Sequence, residues 1–472
     1  MEFFQQLTDL TGRLSGLLWG NPLTLLVLLG TGLYLTIRMG LIQLRGFRHA
    51  IHLVGGRYSS HRDTGEVSHF QALSTALSAT VGTGNIAGVA TAISLGGPGA
   101  LFWMWVTAVL GMATKFTECT LSLKFRQVAP TGEVAGGPMY TLLHGLNMRR
   151  TAALFAAFAL IASFGIGNMV QANSVVDGLG YLLPELHAYR WLIGCLLATL
   201  VGLVILGGVR RIARVASTIV PFMAIMYIAA ALLVLANHAA EIPAAFTTIF
   251  NLALNPWAAG GAAVGEAIRW GVARGLFSNE AGLGSSPMAH AAARTNEPVR
   301  EGLVAMMEPF IDTLVICTMT GLVIVITGAW KESGESLMGA ALTAHAFSGS
   351  LGDAGAWVVG GGLTLFAYST MIAWSYYGDR SALYLFGERA VLPYRVVYTV
   401  MVVIGAAVPL QLVWNIADVT NILMALPNLI GLILLAGLVK RLKDDYFSRP
   451  HEITRNTISP QRRGERRENM NE

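Results

Sequence analysis

Long apolar runs set the pattern of this chain, with polar and charged residues gathered between them. Runs near 17–37, 68–96, 98–121, 152–182, 187–207, 212–236, 258–292, 301–329, 355–385, 391–409 and 413–439 each approach or exceed the roughly 20 residues a helix needs to cross a hydrocarbon core. The pattern predicts an all-α integral membrane protein of about 11 transmembrane helices. Two runs, 68–96 and 258–292, are overlong and too rich in glycine to be uninterrupted rods, so each is expected to be a broken helix.

Setting the first helix aside leaves two groups of five spans, 68–236 and 258–439. Each opens on a broken span and carries an extra short segment after its second, at 135–147 and at 335–350. An odd number of spans gives the two groups opposite topology. This five-plus-five inverted repeat is the layout of secondary transporters, whose substrate site lies where the interrupted helices meet. The expected organisation is one transporter domain: an N-terminal helix and cytoplasmic loop (1–67), two inverted repeats (68–236 and 258–439) and a solvated cytoplasmic tail (440–472).

Composition excludes a water-soluble chain. Charged residues make up 12% of the 472, hydrophobic ones 54%, against about 25% charged in soluble domains. Strict alternation of the spans puts 27 of the 32 Lys and Arg on one face if the Arg38–Arg62 loop is cytoplasmic, five of them between Lys115 and Arg150. The N-terminus is then outside and the C-terminus cytoplasmic, and the net charge of +5 marks topology rather than nucleic-acid binding. The N-terminus lacks the basic start of a cleaved signal peptide, so the first apolar segment is expected to be retained. Cys119, Cys195 and Cys317 have neither disulfide nor metal spacing.

The chemistry lies in the breaks. Six glycines fall between Gly82 and Gly99, around Thr80, Thr83 and Asn85. Unwound backbone inside a membrane must face protein, water or a ligand. Freed N–H groups at the start of a half-helix suit a carboxylate; freed carbonyls and hydroxyls suit a hard cation such as Na⁺. Close packing through small residues is the alternative. The second break holds Ser278, Asn279 and Glu280 before Gly282 and Gly284. A carboxylate there is costly, so Glu280 is expected to be partnered, as a scaffold accepting hydrogen bonds or pairing with Arg274 rather than as a direct ligand. Phe277, Ser278 and Asn279 are expected to be unwound and to line the site.

The run Phe-Ser-Asn-Glu-Ala-Gly-Leu-Gly-Ser-Ser-Pro at 277–287, with Ala-Thr-Val-Gly-Thr-Gly-Asn-Ile-Ala-Gly-Val-Ala at 79–90 and Gly-Gly-Pro-Met-Tyr at 136–140, resembles the alanine/glycine:cation symporter family (sodium:alanine symporters) across 10–445. The resemblance implies a leucine-transporter-like fold. It also implies Na⁺- or H⁺-driven uptake of a small neutral amino acid across the bacterial inner membrane. It places the substrate carboxylate at Gly82, Thr83, Gly84 and Asn85, and the ammonium at unwound carbonyls near Phe277. Asn168 and Gln171, on one helix face, would add side-chain bonds, and Ser278, Asn279, Gly282, Thr370 and Trp374 complete the substrate set. The same resemblance implies a Na⁺ held by carbonyls near Ala79 and Gly82 and by hydroxyls of Thr364, Ser369 and Thr370. No cofactor other than this coupling ion is implied.

Other membrane charges are read separately. Glu308 and Asp312 repel at i,i+4, so one is expected to be protonated or cation-paired, with water exposure or a scaffold role favoured over proton coupling. Glu266 and Asp418 are placed at span ends near an interface, and His49, His52, His61 and His69 are taken as solvated. No nucleotide-binding loop occurs. Ser278 or Ser285 as a nucleophile would have only His290 or His345 for a base in the membrane, so an enzyme is disfavoured. A channel is the third class. Which amino acid and enantiomer, Na⁺ against H⁺, stoichiometry and oligomeric state are not legible in the sequence.

Overall fold

A computed structural model describes residues 2–58, 63–128, 133–254, 262–334 and 337–450. The chain opens on α1 (Glu2–Gly20), bent by 53° into α2 (Pro22–Arg38). Asn21 makes the corner: its side chain accepts from the Leu23 N–H, and Pro22 sits where a missing N–H is harmless. The first span therefore begins earlier than 17 and is kinked.

The first break follows. Helix α3 (His69–Thr80) starts from a capping box of Ser68 and Gln71 and ends at Val81. After a π turn at Gly84–Gly88 the chain continues as α4 (Val89–Gly96), bent 52° from α3. Helix α5 (Gly99–Phe125) leads to a two-residue ribbon, β1 (Gln127–Val128) antiparallel to β2 (Val134–Ala135). Then come α6 (Arg149–Leu182, with a π turn at Gly165–Met169), α7 (Pro184–Ile205) and α8 (Gly208–Asn237). Helix α9 (Ile242–Leu254) is apolar but too short to have been counted as a span.

The second break separates α10 (Ala262–Asn279) from α11 (Ser286–His290). The remainder is α12 (Pro298–Ile326, with a π stretch at Phe310–Cys317), α13 (Ala340–Leu351), α14 (Asp353–Phe386), α15 (Val391–Ala407) and α16 (Leu410–Ser448). Among the described residues eight helices are long and apolar enough to cross a membrane, or ten with each bent pair taken as one span. The difference from eleven lies at 258–292. There α10 carries Glu266, Arg269 and Arg274 and stops at Glu280; residues 258–261 lie outside the described residues. Of the tail placed at 440–472, the part through Ser448 continues α16, with Lys440–Asp444 and Arg449–Asp445 pairs at i,i+4. Residues 451–472 lie outside the described residues.

The interior and the periphery differ in kind. Helices α7, α8 and α15 turn Trp191, Leu196, Phe222, Ile225, Leu392 and Val400 outward, the exposed apolar surface of a protein solvated by lipid. The broken helices are enclosed by α5, α6, α12 and α14, and nearly every residue of both breaks is buried. Close approach there needs glycine. A Cβ on Gly271 of α10 would overlap the Ala100 carbonyl of α5, whereas one on Gly361 of α14 meets nothing within 4 Å. Gly271→Ala should therefore destabilise the protein by about 1–3 kcal/mol. Gly361→Ala should be neutral or stabilising by up to about 1 kcal/mol. Thermal unfolding of the two purified variants in detergent, read side by side, checks both.

Candidate functional site

At the first break the Gly82 N–H leaves the helical pattern and donates to Asn85 Oδ1 at 2.9 Å. The Ser78 carbonyl is thus free to accept from Thr370 Oγ1 of α14 at 3.0 Å, and Val81 O lies 3.4 Å from the same hydroxyl. Ser369 Oγ reaches Ser78 O at 3.4 Å and Phe366 O at 2.9 Å, while Ser78 Oγ donates to Ser369 O at 2.8 Å. Three carbonyls and two hydroxyls, those of Ser78, Val81, Phe366, Ser369 and Thr370, converge between α3 and α14. They form a neutral oxygen cluster of the kind a hard monovalent cation prefers. Ser369 and Thr370, two of the hydroxyls expected at an ion, both face the first break. The carbonyls they meet belong to Ser78 and Val81 rather than Ala79 and Gly82, because the Gly82 turn releases the carbonyl four residues before it. Thr364 is not part of the cluster: its hydroxyl donates to Gly360 O of its own helix at 2.9 Å.

Beside that cluster the first break packs directly on α6, α10 and α14. A Cβ on Gly82 would come within 2.6 Å of Thr370 Oγ1 and 3.1 Å of Gln171 Oε1. A Cβ on Gly84 would come within 3.1 Å of Ser278 Cα and 3.3 Å of the Phe277 ring. Gln171 Oε1 accepts from the Thr83 N–H at 3.2 Å, and Gln171 Nε2 donates to Ile166 O in the π turn of α6. Thr83 Oγ1 is fully buried and meets no hydrogen-bond partner among the described residues. Asn168 points elsewhere: its amide donates to Tyr398 O of α15 at 2.7 Å, so this half of the Asn168–Gln171 pair joins neighbouring helices.

The second break begins later than expected. Phe277, Ser278 and Asn279 remain in α10, and the chain turns at Glu280, which has φ 53°, and at Gly282 and Gly284, with φ 85° and 83°. Their carbonyls are nonetheless at a helix end. Ala281 N–H turns to Asn279 Oδ1, and Leu283 N–H to Glu280 O, so Phe277 and Asn279 lose their helical donors. Glu280 is a scaffold. It accepts from Trp374 Nε1 at 2.8 Å and from Ser285 Oγ at 2.5 Å. Arg274 pairs instead with Asp418 at 2.6 Å, so Asp418 is a buried partner rather than an interface residue. Trp374 lies against Gly167, where no side chain would fit. Gly282 O accepts from Asn428 Nδ2, which also reaches Glu118.

Asp312, in the π stretch of α12, joins the two breaks. Its carboxylate accepts from Asn85 Nδ2 at 2.6 Å and Ser278 Oγ at 2.7 Å, and from Thr313 Oγ1 at 2.7 Å. Asn279 Nδ2 donates to Thr313 Oγ1 at 3.3 Å. A cavity of about 730 Å³ reaches the first break at Ala87. It is lined by Ala87 of the π turn and Thr91 of α4, Ser174 and Asp177 of α6, Arg274 and Trp414. The Phe277 ring stacks on Trp414, centroids 4.6 Å apart, with the Arg274 guanidinium 4.8 Å over Trp414. This stack is the floor between the cavity and Gly84.

The profile of the sodium:alanine symporter family matches residues 4–459. The chain is 49% identical to the sodium/alanine symporter AgcS of Methanococcus maripaludis over 91% of its own length and 95% of that protein. It is 37% identical to the probable sodium/glutamine symporter GlnT of Bacillus subtilis, over 94% and 91%. The chain belongs to the sodium:alanine symporter family. Among solved structures, MhsT in complex with L-phenylalanine aligns with a TM-score of 0.56 at 13% identity. It covers 80% of this chain and 98% of MhsT. That likeness shows the leucine-transporter type of fold, in a family of membrane transporters rather than enzymes.

A polar network that the sequence reading missed lies behind the family's signature run. Lys115, counted among the cytoplasmic charges, is buried within α5, 3.0 Å from Glu308. Glu308 is thus the cation-paired member expected of the Glu308–Asp312 couple, and neither carboxylate is water-exposed. His69, taken as solvated, is buried against Glu301, which also bonds His290. A lysine inside an apolar run, three residues before Glu118, was the available signal. His61 lies outside the described residues.

The carboxylate joining the breaks gives a direct test. Asp312→Ala removes the carboxylate that the buried Asn85 amide and Ser278 hydroxyl share and leaves them the weaker Asp312 O and Cys317 Sγ, a loss of about 1–3 kcal/mol. Asp312→Asn keeps one acceptor and should lose distinctly less. Melting temperatures of both purified variants, compared with the parent, check the order.

Proposed function

We propose that the protein is a Na⁺-driven importer of a small neutral amino acid, alanine or glycine foremost, working by alternating access in the bacterial inner membrane. The N-terminus would be outside and the C-terminus cytoplasmic. The observation that carries the reading is Thr83. Its hydroxyl is buried without a partner among the described residues, beside Gly84 at the start of the half-helix that follows the first break. A substrate carboxylate there would take the Thr83 hydroxyl and the Gly84 N–H. The ammonium would face the released carbonyls of Phe277 and Asn279. Gly82, Gly84 and Gly167 leave little room beside Phe277 and Trp374, which favours a side chain of methyl size or none over one as long as glutamine.

Na⁺ would sit among the Ser78, Val81, Phe366, Ser369 and Thr370 oxygens, the two hydroxyls turning their lone pairs inward. The ion ties α3 to α14 next to the substrate, so binding of each organises the other's contacts. On this reading the five-plus-five repeat lets one helix group rock against the other, and the cavity above the Phe277–Trp414 stack is the outward entrance. The gradient supplies the work: one charge crossing 100 mV is worth about 2.3 kcal/mol.

Purified protein in liposomes should take up labelled L-alanine saturably, and only with an inward Na⁺ gradient. Competition by glycine, serine, glutamine and D-alanine ranks the substrates. Gradient-independent, non-saturable flux would remove the symporter reading, and H⁺-driven uptake without Na⁺ would replace the ion. Thr370→Val should raise the half-saturating Na⁺ concentration about 10-fold or more, the scale of about 1.4 kcal/mol for one lost ligand, while uptake at saturating Na⁺ survives.

A further inference from the structure

The buried network behind the second break sets one histidine between two carboxylates. That histidine is His290, the last residue of α11: Nδ1 is 2.5 Å from Glu301 Oε1 and Nε2 is 2.6 Å from Glu308 Oε1. A neutral imidazole has one N–H and one lone pair, so one nitrogen would face a carboxylate lone pair to lone pair. An imidazolium donates to both. The acceptors are otherwise saturated. Glu308 Oε2 takes Ser286 Oγ at 2.8 Å and Lys115 Nζ at 3.0 Å, and Glu301 Oε2 takes His69 Nδ1. Every one of these side chains is buried.

We propose that Glu301, His290 and Glu308 form a proton-binding site that latches the foot of the first broken helix, so that opening this end of the transporter releases the proton. His69 is the first residue of α3, whose other end is the break at Val81–Thr83. Glu301 therefore clasps the foot of α3 through His69 and the end of α11 through His290. Moving the foot of α3 away from α12 pulls His69 off Glu301 and admits water to His290. The groups facing His290 are His69 from α3; Lys115, Glu118 and Cys119 from α5; Glu301 and Glu308 from α12; and Tyr377 from α14, with Glu280 in the break itself. Because the proton belongs to the closed arrangement, protons and opening are linked reciprocally. Lower pH holds this end shut and higher pH eases its opening.

The transport consequence rests on the Na⁺-driven importer reading, whereas the imidazolium does not, and the experiment separates them. Protein labelled with ¹⁵N-histidine in nanodiscs, with His290→Gln to assign the signal, should show His290 protonated on both nitrogens at about pH 8, where an ordinary histidine is neutral. In Glu301→Gln the new amide donates to His290 and its oxygen accepts from His69, so a neutral His290 satisfies both neighbours and the signal should become that of a neutral ring. Na⁺-driven alanine uptake by the parent should quicken about fivefold between about pH 7 and about pH 9, set equal on both sides, and Glu301→Gln should flatten that profile. A neutral His290 in the parent overturns the proton site. A Glu301→Gln profile that tracks the parent overturns the latch. Absence of uptake with an intact imidazolium signal counts against the importer reading and leaves the site standing.

Discussion

The structure depends on one constraint: two helices are interrupted inside a medium with no water to receive their peptide groups. Each freed N–H or C=O costs several kcal/mol unless something polar reaches it. The first break is served from five directions. Asn85 takes the Gly82 N–H, Gln171 takes the Thr83 N–H, Thr370 reaches Ser78, and Thr320 and Thr343 reach the carbonyls of Asn85 and Ile86. These partners come from α6, α12, α13 and α14 as well as from the break itself. The helices around the site are therefore where they are because the break has to be partnered.

The same constraint explains why the buried charges occur together. Glu280 is tolerable because Trp374 and Ser285 donate to it, and Arg274 because Asp418 receives it beneath three aromatic rings. Removing one member of such a group leaves the other uncompensated. The interior thus behaves as linked polar clusters, and each cluster crosses a helix boundary that alternating access would have to move.

Much of this was legible in residue order. Apolar run length located the long helices, and glycine density marked the stretch that holds the first break at Val81–Thr83. The Ser-Asn-Glu triplet marked the second, but its start was displaced to Glu280. A C-terminal helical turn keeps its geometry while its carbonyls are already free, which residue type alone does not reveal. Lys115 was misassigned because a charge near a run's end reads as a loop when only spacing is counted; its partner Glu308 lies 193 residues away. The Arg274–Asp418 and His69–Glu301 pairs were hidden for the same reason, being contacts between distant segments. Thr364 shows the converse. Its hydroxyl, expected at the ion, donates to the Gly360 carbonyl of its own helix.

The second break has a different partner at each end, and this decides what its movement can carry. Glu280, at its start, is held to α14 by Trp374, and Ser286, at its finish, is held to Glu308 and Lys115. Between them Gly282 and Gly284 adopt φ values that residues with a Cβ resist. The segment is therefore a short rigid strap anchored at both ends, and not a slack loop. Asp312 adds a third tie from α12 to the last turn of α10 and across to Asn85. A displacement of α11 that loosens His290 must pass through Ser286 to Glu308, on the same helix that holds Asp312. The site at the two breaks and the latch at the foot of α3 are thus joined by one helix, α12, whose π stretch begins just after Pro309. An extra residue in that turn lets Asp312 face the breaks while Glu308 faces the network, a divergence that ideal i,i+4 spacing would not allow.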